Sequence, residues 1–220
     1  PMFDSLTLYD LCQMKSGINY DEYGNLYQTL KFYYLQNVTQ AINNAKFKYR
    51  PGEKFVYKSI DTQILGECIR KSTPNKKYVD FFYDNIWNKI GAQDSAYFAV
   101  DSKINKIPKY YGGLNISARD LAKFGLMVLH NGKFNRQQIV PKSWLNYCND
   151  TTKRSIEPEK YCMGWYYSED DIDNDIFYSA GFNGQIMLIN RTNNTIIIRL
   201  GTDTGGVYWY PIMKKLSMIL

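Results

Sequence analysis

Downstream of Lys160 the hydrophobic pattern changes period, and this restricts the fold more than any other feature of the chain. Before that point apolar residues recur at helical spacing. After it they alternate, in Met163 to Ser168, Ile176 to Ala180, Gly184 to Asn190 and Thr195 to Gly201. Alternation over four to eight residues is the mark of a half-buried strand. The run Asn190-Arg191-Thr192-Asn193-Asn194 is a turn between the last two, so they pair as an antiparallel hairpin. Tyr208 to Leu220, with Pro211 in its first turn, reads as a closing helix. A helical stretch followed by antiparallel strands and a terminal helix makes an α+β chain. The expectation is one domain, mostly helical over 1–160, with strands and the last helix over 161–220.

Within the helical stretch, Thr7 is a good N-cap for a short helix carrying Leu8, Leu11, Cys12 and Met14, with Ser16-Gly17 at its end. Residues 26 to 50 read as helix, with Leu26, Leu30, Tyr33, Tyr34, Val38 and Ile42 on one side. A further helix from Tyr78 carries Phe81, Phe82 and Ile86 toward Trp87. Ser117, with Asp120 in the first turn, caps a helix that buries Leu121, Phe124, Gly125, Met127 and Val128. His130 precedes Asn131-Gly132 and so ends that helix rather than serving a site. A short helix follows Pro141, and 149 to 160 is polar loop.

The remaining counts mainly exclude. A net charge of +6 raises the question of an anionic partner, but Lys46, Lys48, Arg50, Lys71, Lys76, Lys77, Lys153 and Arg154 are scattered, and no nucleic-acid motif accompanies them. Cys12, Cys68, Cys148 and Cys162 lack C-x-x-C spacing, which argues against a metal and for thiols packed as small apolar groups, with a disulfide as the open alternative. No apolar run reaches the roughly 20 residues that a membrane-spanning helix needs. No cofactor, metal or nucleic acid is expected.

One stretch carries chemistry, Pro51 to Gly66, PGEKFVYKSIDTQILG. Pro51-Gly52 is a turn dipeptide, Phe55-Val56-Tyr57 reads as a short strand, and an apolar helical run follows from Thr62. Tyr57 and Ser59 stand one residue apart where extended chain becomes helix, which places two hydroxyls on one wall of a cleft. Taken singly, Tyr57 is one of 20 tyrosines and Ser59 a residue near a helix start. Their meaning comes from their order among other segments.

Those segments are TLYDLCQMKSG, PGEKFVYKSIDTQILG, IWNKIGAQDSAYFAVD, GGLNISARDLAKFGLMVLHNGK, IVPKSW and SAGFNGQ, in that sequence. The chain resembles the penicillin-recognising serine hydrolases: class C β-lactamases, D-alanyl-D-alanine carboxypeptidases and related esterases. Within them it looks closest to the 6-aminohexanoate-dimer hydrolase branch, over nearly the whole chain. The resemblance implies a β-lactamase/transpeptidase-like fold and acyl transfer through a covalent serine intermediate. It implies that Tyr57 is the proton-shuttling tyrosine and Ser59 the third residue of a Tyr-x-Ser motif. Ser179-Ala180-Gly181 would stand where the family commonly has Lys-Thr-Gly, with the N–H of Phe182 facing the oxyanion. Ser59, Ser179, Gly181 and Phe182 are thus the substrate-binding candidates. The absent Lys argues against β-lactam carboxylate recognition and is compatible with the amide-hydrolase branch.

No Ser in the chain is followed three residues later by Lys, so the family's Ser-x-x-Lys nucleophile pair is absent from these 220 residues. In the family that pair lies upstream of the segment matching TLYDLCQMKSG, so the expectation is a C-terminal part whose N-terminal part, with the nucleophile, is missing. The alternative is a non-catalytic protein that binds a peptide or peptidoglycan-like ligand. Either way the expected partners are a small amide, ester or peptide-like molecule, and a second copy of the chain or a complementing N-terminal fragment. The compartment is left open between the bacterial cytoplasm and periplasm.

Overall fold

A computed structural model describes residues 2–24, 26–148, 150, 160–168 and 175–220. The chain forms two compact units, Pro1–Val79 with Ala96–Asn115, and Asp80–Ser95 with Ile116–Leu220.

The first unit is helical. Helix α1 (Leu8–Cys12) starts on a capping box: the Thr7 hydroxyl accepts from the Asp10 amide, and the Asp10 carboxylate accepts from the Thr7 amide. It ends at Gln13 rather than at Ser16-Gly17, because Met14 already has a left-handed φ of 55°. The single helix read over 26 to 50 is two, α2 (Leu26–Tyr33) and α3 (Val38–Asn43). Asn37 explains the break: its side chain accepts from the Gln40 amide, a cap that starts a new helix. Helix α4 (Ser59–Ser72) packs on α1. Leu11, Ile18, Tyr20, Phe32, Ile60 and Ile64 form the core between them. Gly66 is needed there, because a Cβ would lie 2.0 Å from the Tyr110 ring. A two-residue pair, β1 (Tyr97–Phe98) with β2 (Leu114–Asn115), completes this unit. Helix α5 (Tyr78–Phe82) runs into a wider π turn at Tyr83–Trp87 where the chain passes from the first unit to the second.

The second unit is built on a five-stranded antiparallel sheet in sequential order. Its strands are β5 (Lys160–Cys162), β6 (Trp165–Tyr167), β7 (Ile176–Gly181), β8 (Gln185–Asn190) and β9 (Thr195–Arg199), preceded in this unit by the small β3 (Lys133–Phe134) and β4 (Gln137–Gln138) pair. The stretch 163 to 168 is therefore not one strand. Met163 and Gly164 turn between β5 and β6 with φ of 51° and 97°. The β8–β9 hairpin has the expected turn, with Asn190 opposite Thr195. Helix α8 (Trp209–Ile219) covers one face, burying Tyr210 and Met213 against Ile176, Ile186 and Leu188. Helix α6 (Ala118–Leu129) lies against β8 and β9, close enough that a Cβ on Gly125 would meet Met187 and Ile196 at 3.2 Å. Ser117 caps α6 and His130 ends it. Helix α7 (Lys142–Cys148) follows Pro141. The loop read over 149 to 160 lies almost wholly outside the described residues. The four cysteines are thiols, with Cys148 and Cys162 buried.

Packing groups the chain differently from sequence order. Helices α6 and α7 belong with the sheet, whereas α1 to α4 form a unit with the short β1–β2 pair. Among the described residues no helix is long and apolar enough to cross a membrane.

Candidate functional site

The Tyr57 segment is irregular backbone fixed by its surroundings. Pro51-Gly52 makes the turn that the dipeptide implies: the Glu53 amide donates to the Arg50 carbonyl at 3.1 Å and Gly52 has φ 82°. Phe55 to Tyr57 joins no strand ladder, contrary to the reading of it as a strand. The chain after α1 holds it instead, with the Gly52 amide donating to the Lys15 carbonyl at 2.8 Å and the Val56 amide to the Met14 carbonyl at 3.0 Å. Helix α4 begins at Ser59, three residues before the apolar run.

Three consecutive residues then take three different environments. Tyr57 is half-buried, and its ring stacks on Tyr23 with centroids 6.1 Å apart and planes at 29°. Lys58 is wholly buried. Its Nζ donates to the Ser16 hydroxyl at 3.2 Å and lies 3.9 Å from the Asp61 carboxylate. Ser16 in turn donates to Asp61 at 2.6 Å. Burial lowers the Lys58 ammonium from the usual lysine value, against the pull of Asp61. Burial likewise pushes the Asp61 carboxyl up to about 6, opposed by Lys58 and Ser16. Ser59 is also buried, and both its amide and its hydroxyl donate to the Glu22 carboxylate at 2.8 Å. Its hydroxyl is thus engaged in anchoring α4.

The second group lies in the other unit. Ser179 is half-buried in β7 opposite Met187, and Gly181 ends the strand opposite Gln185. Phe182 opens the connecting turn and is 80% exposed. The turn needs left-handed backbone at Asn183 (φ 60°) and Gly184 (φ 76°). Arg199 on β9 holds it, donating to the carbonyls of Asn183 at 3.1 Å, Gly184 at 2.7 Å and Asp203 at 2.6 Å. Its guanidinium lies 4.6 Å from the Trp209 ring centroid.

The structure thus places Tyr57 and Ser59 at the start of α4 in the first unit. Ser179, Gly181 and Phe182 stand at the β7–β8 hairpin of the second. Glu22, Tyr23, Ser16 and Asp61 escaped the sequence reading. Nothing in spacing along the chain places Glu22 on a residue 37 positions later. Among the described residues no group of three or more His, Cys, Asp or Glu could hold a metal ion.

Comparison with known proteins decides the family. The beta-lactamase family matches residues 1–208. The chain belongs to the beta-lactamase family. Among curated relatives, this family member is 24% identical over 177 residues to a 6-aminohexanoate-dimer hydrolase of Paenarthrobacter ureafaciens, covering 75% of this chain and 44% of that protein. Among solved structures, a Bacillus anthracis protein provisionally named a 6-aminohexanoate-dimer hydrolase superposes with a TM-score of 0.84 at 23% identity, covering 99% of this chain and 61% of that one. An octameric penicillin-binding protein homologue of Pyrococcus abyssi has a TM-score of 0.75 at 16% identity, covering 97% and 55%. This beta-lactamase-family chain therefore spans about half the length of these relatives, and the fold expected from the motif order is the fold observed.

Proposed function

We propose that this chain carries the proton-transfer tyrosine and the oxyanion strand of a serine hydrolase that cleaves amide or ester bonds through an acyl-enzyme. The observation that carries the reading is the presentation of Tyr57, half-exposed at the start of α4 while the two residues after it are buried, Lys58 on the Ser16 hydroxyl beside Asp61 and Ser59 on the Glu22 carboxylate. A phenol fixed this way suits general acid–base work, which needs a group held within hydrogen-bond reach of the travelling proton. Ser179, Gly181 and Phe182 supply the substrate-binding strand, and Phe182 contributes its N–H to the oxyanion hole. Ser59 supports this site from within the motif, through Glu22.

The nucleophile and its activating amine come from outside these 220 residues, because no Ser-x-x-Lys occurs in them. Without them the chain forms no acyl-enzyme. They reach it on a longer polypeptide or on a separate fragment. The octameric relative gives a precedent for assembly, and self-association is part of this proposal. The absent pair also favours a second reading, a non-catalytic protein that binds a peptide or peptidoglycan-like ligand.

A fluorophosphonate probe and a fluorescent penicillin test this directly. The 220-residue chain should remain unlabelled. A chain extended to include a Ser-x-x-Lys segment should label, and Tyr57→Phe should slow that labelling by roughly 100-fold or more. Labelling of the 220-residue chain itself would overturn the proposal. Saturable binding of an N-acyl amide by the extended chain, with no labelling, would favour the second reading.

A further inference from the structure

Among the described residues one of the largest wholly buried side chains is a lysine, and it directly follows the proposed proton-transfer residue. A buried ammonium is costly unless paired and hydrogen-bonded, so its place needs a physical reason. Lys58 has φ −159° and ψ 131°, an extended conformation in which successive side chains leave opposite sides of the chain. Whatever fixes Lys58 inside therefore fixes Tyr57 on the other side.

We propose that Lys58 is the positioning residue for Tyr57: its ammonium, seated on Ser16 and Asp61, pins the extended chain from below so that the phenol stays presented beside Tyr23. This rests on the reading of Tyr57 as the proton-transfer group, but the geometry it asserts can be measured without catalysis. The pin has two contacts. The ammonium donates to Ser16 Oγ at 3.2 Å, and Asp61 stands 3.9 Å away. Ser16 is itself immobilised. Its hydroxyl donates to Asp61 at 2.6 Å, accepts from the Ile18 amide at 3.2 Å, and its own amide faces Asp61 at 3.4 Å. Asp61 sits in the first turn of α4, one turn after Lys58, where the positive end of the helix favours a carboxylate. Asp10 of α1 is the other acidic group acting on Asp61.

A second clamp acts on the next residue. Glu22 accepts from Ser59 N and Oγ, and the same turn carries Tyr23 over the Tyr57 ring. The Asp21 carboxylate accepts from the Gly24 amide at 2.7 Å, which closes that turn on itself. Tyr57 is therefore flanked by the stacked Tyr23 ring and by the Lys58 anchor that directly follows it. Lys58 needs no contact with substrate to affect the reaction. It acts through Tyr57 alone.

The test is a nuclear Overhauser contact between the Tyr23 and Tyr57 rings in tyrosine-labelled protein. Resonances are assigned with Tyr23→Phe and Tyr57→Phe. Wild type should show the contact. Lys58→Met with Asp61→Asn removes the anchor while leaving no buried charge unpaired. It should stay folded and lose the ring contact at least threefold. Ser16→Ala keeps both charges, serves if the double variant does not fold, and should weaken the contact by roughly half. In the longer chain that carries the nucleophile, both variants should lower kcat with KM within about twofold. A full-strength ring contact in the folded double variant, or in Ser16→Ala if that is the one that folds, overturns the proposal and leaves Lys58 as a charge partner for Asp61 only. Loss of the contact with unchanged kcat keeps the positioning geometry and instead overturns the catalytic reading of Tyr57.

Discussion

The Tyr57 segment and the β7–β8 hairpin reach a defined shape by opposite means. At the hairpin the backbone satisfies itself, through a continuous ladder from Ile176–Asn190 to Gly181–Gln185. Only the turn needs help, and one half-buried Arg199 on the neighbouring strand provides it. The Tyr57 segment has no ladder, so its polar groups are met by neighbouring loop carbonyls and by two carboxylates, Asp61 beside the buried Lys58 and Glu22 on Ser59. A ladder distributes its energy over many modest bonds. A buried charge network concentrates it in a few groups, each costly to orphan. The first arrangement should tolerate single changes and the second should not.

Lys58→Met is the strongest way to expose that difference. It leaves the buried Asp61 carboxylate unpaired, and a loss of about 3–5 kcal/mol is expected in urea unfolding followed by circular dichroism. A loss below about 1 kcal/mol would mean that the network contributes little to folding. Glu22→Ala comes next. It deprives the Ser59 amide and hydroxyl of a charged acceptor, and about 2–3 kcal/mol should go, with the start of α4 exchanging its amide hydrogens faster.

Acid separates one buried carboxylate of each unit, Asp61 in the first and Asp120 in the second, by the direction of its shift. Asp120 at the start of α6 is completely buried, which opposes its charge. Lys123 and the amides of Asp94 and Gln93 outweigh that and hold its carboxyl at about 2. Its folded value lies below the unfolded one, so its contribution is present above about pH 4 and disappears as pH falls toward 2. That contribution is roughly 2 kcal/mol, and Asp120→Asn should flatten the acid limb of a stability-against-pH curve. Asp61 behaves oppositely. Its folded value, about 6, lies above the usual 3.8, so its contribution to stability is lost as pH rises from about 4 through 6.

The smallest effect belongs to the hairpin. Arg199→Met should cost about 1 kcal/mol, because the ladder survives, while the emission of Trp209 shifts as the cation leaves its ring. A cost as large as that of Lys58→Met would show that the hairpin also depends on one group.

Much of this was legible along the chain. The Thr7 and Ser117 caps, the β8–β9 turn and the terminal helix each depend on residues within a few positions of one another, and such signals survive in one dimension. Errors arose where a distant partner overrode local pattern, or where a local cap went unread inside an apolar period. Phe55-Val56-Tyr57 has the composition of a strand, but its neighbour is the loop after α1, whose carbonyls hold it without a ladder. The helix read over 26 to 50 hid a cap at Asn37 inside an apolar period.

The sequence by itself determined the α+β class, the order of motifs that marks the family, the position of Tyr57 at an extended-to-helix junction, and the absence of Ser-x-x-Lys from these residues. All of these are matters of residue type and spacing. Only the tertiary structure decided where Lys58 points, that Ser59 is bound to Glu22, and that Tyr23 covers Tyr57. Those outcomes depend on which groups from distant segments meet where water is excluded. There the cost of burying a charge selects its partner, and spacing along the chain carries no record of that choice.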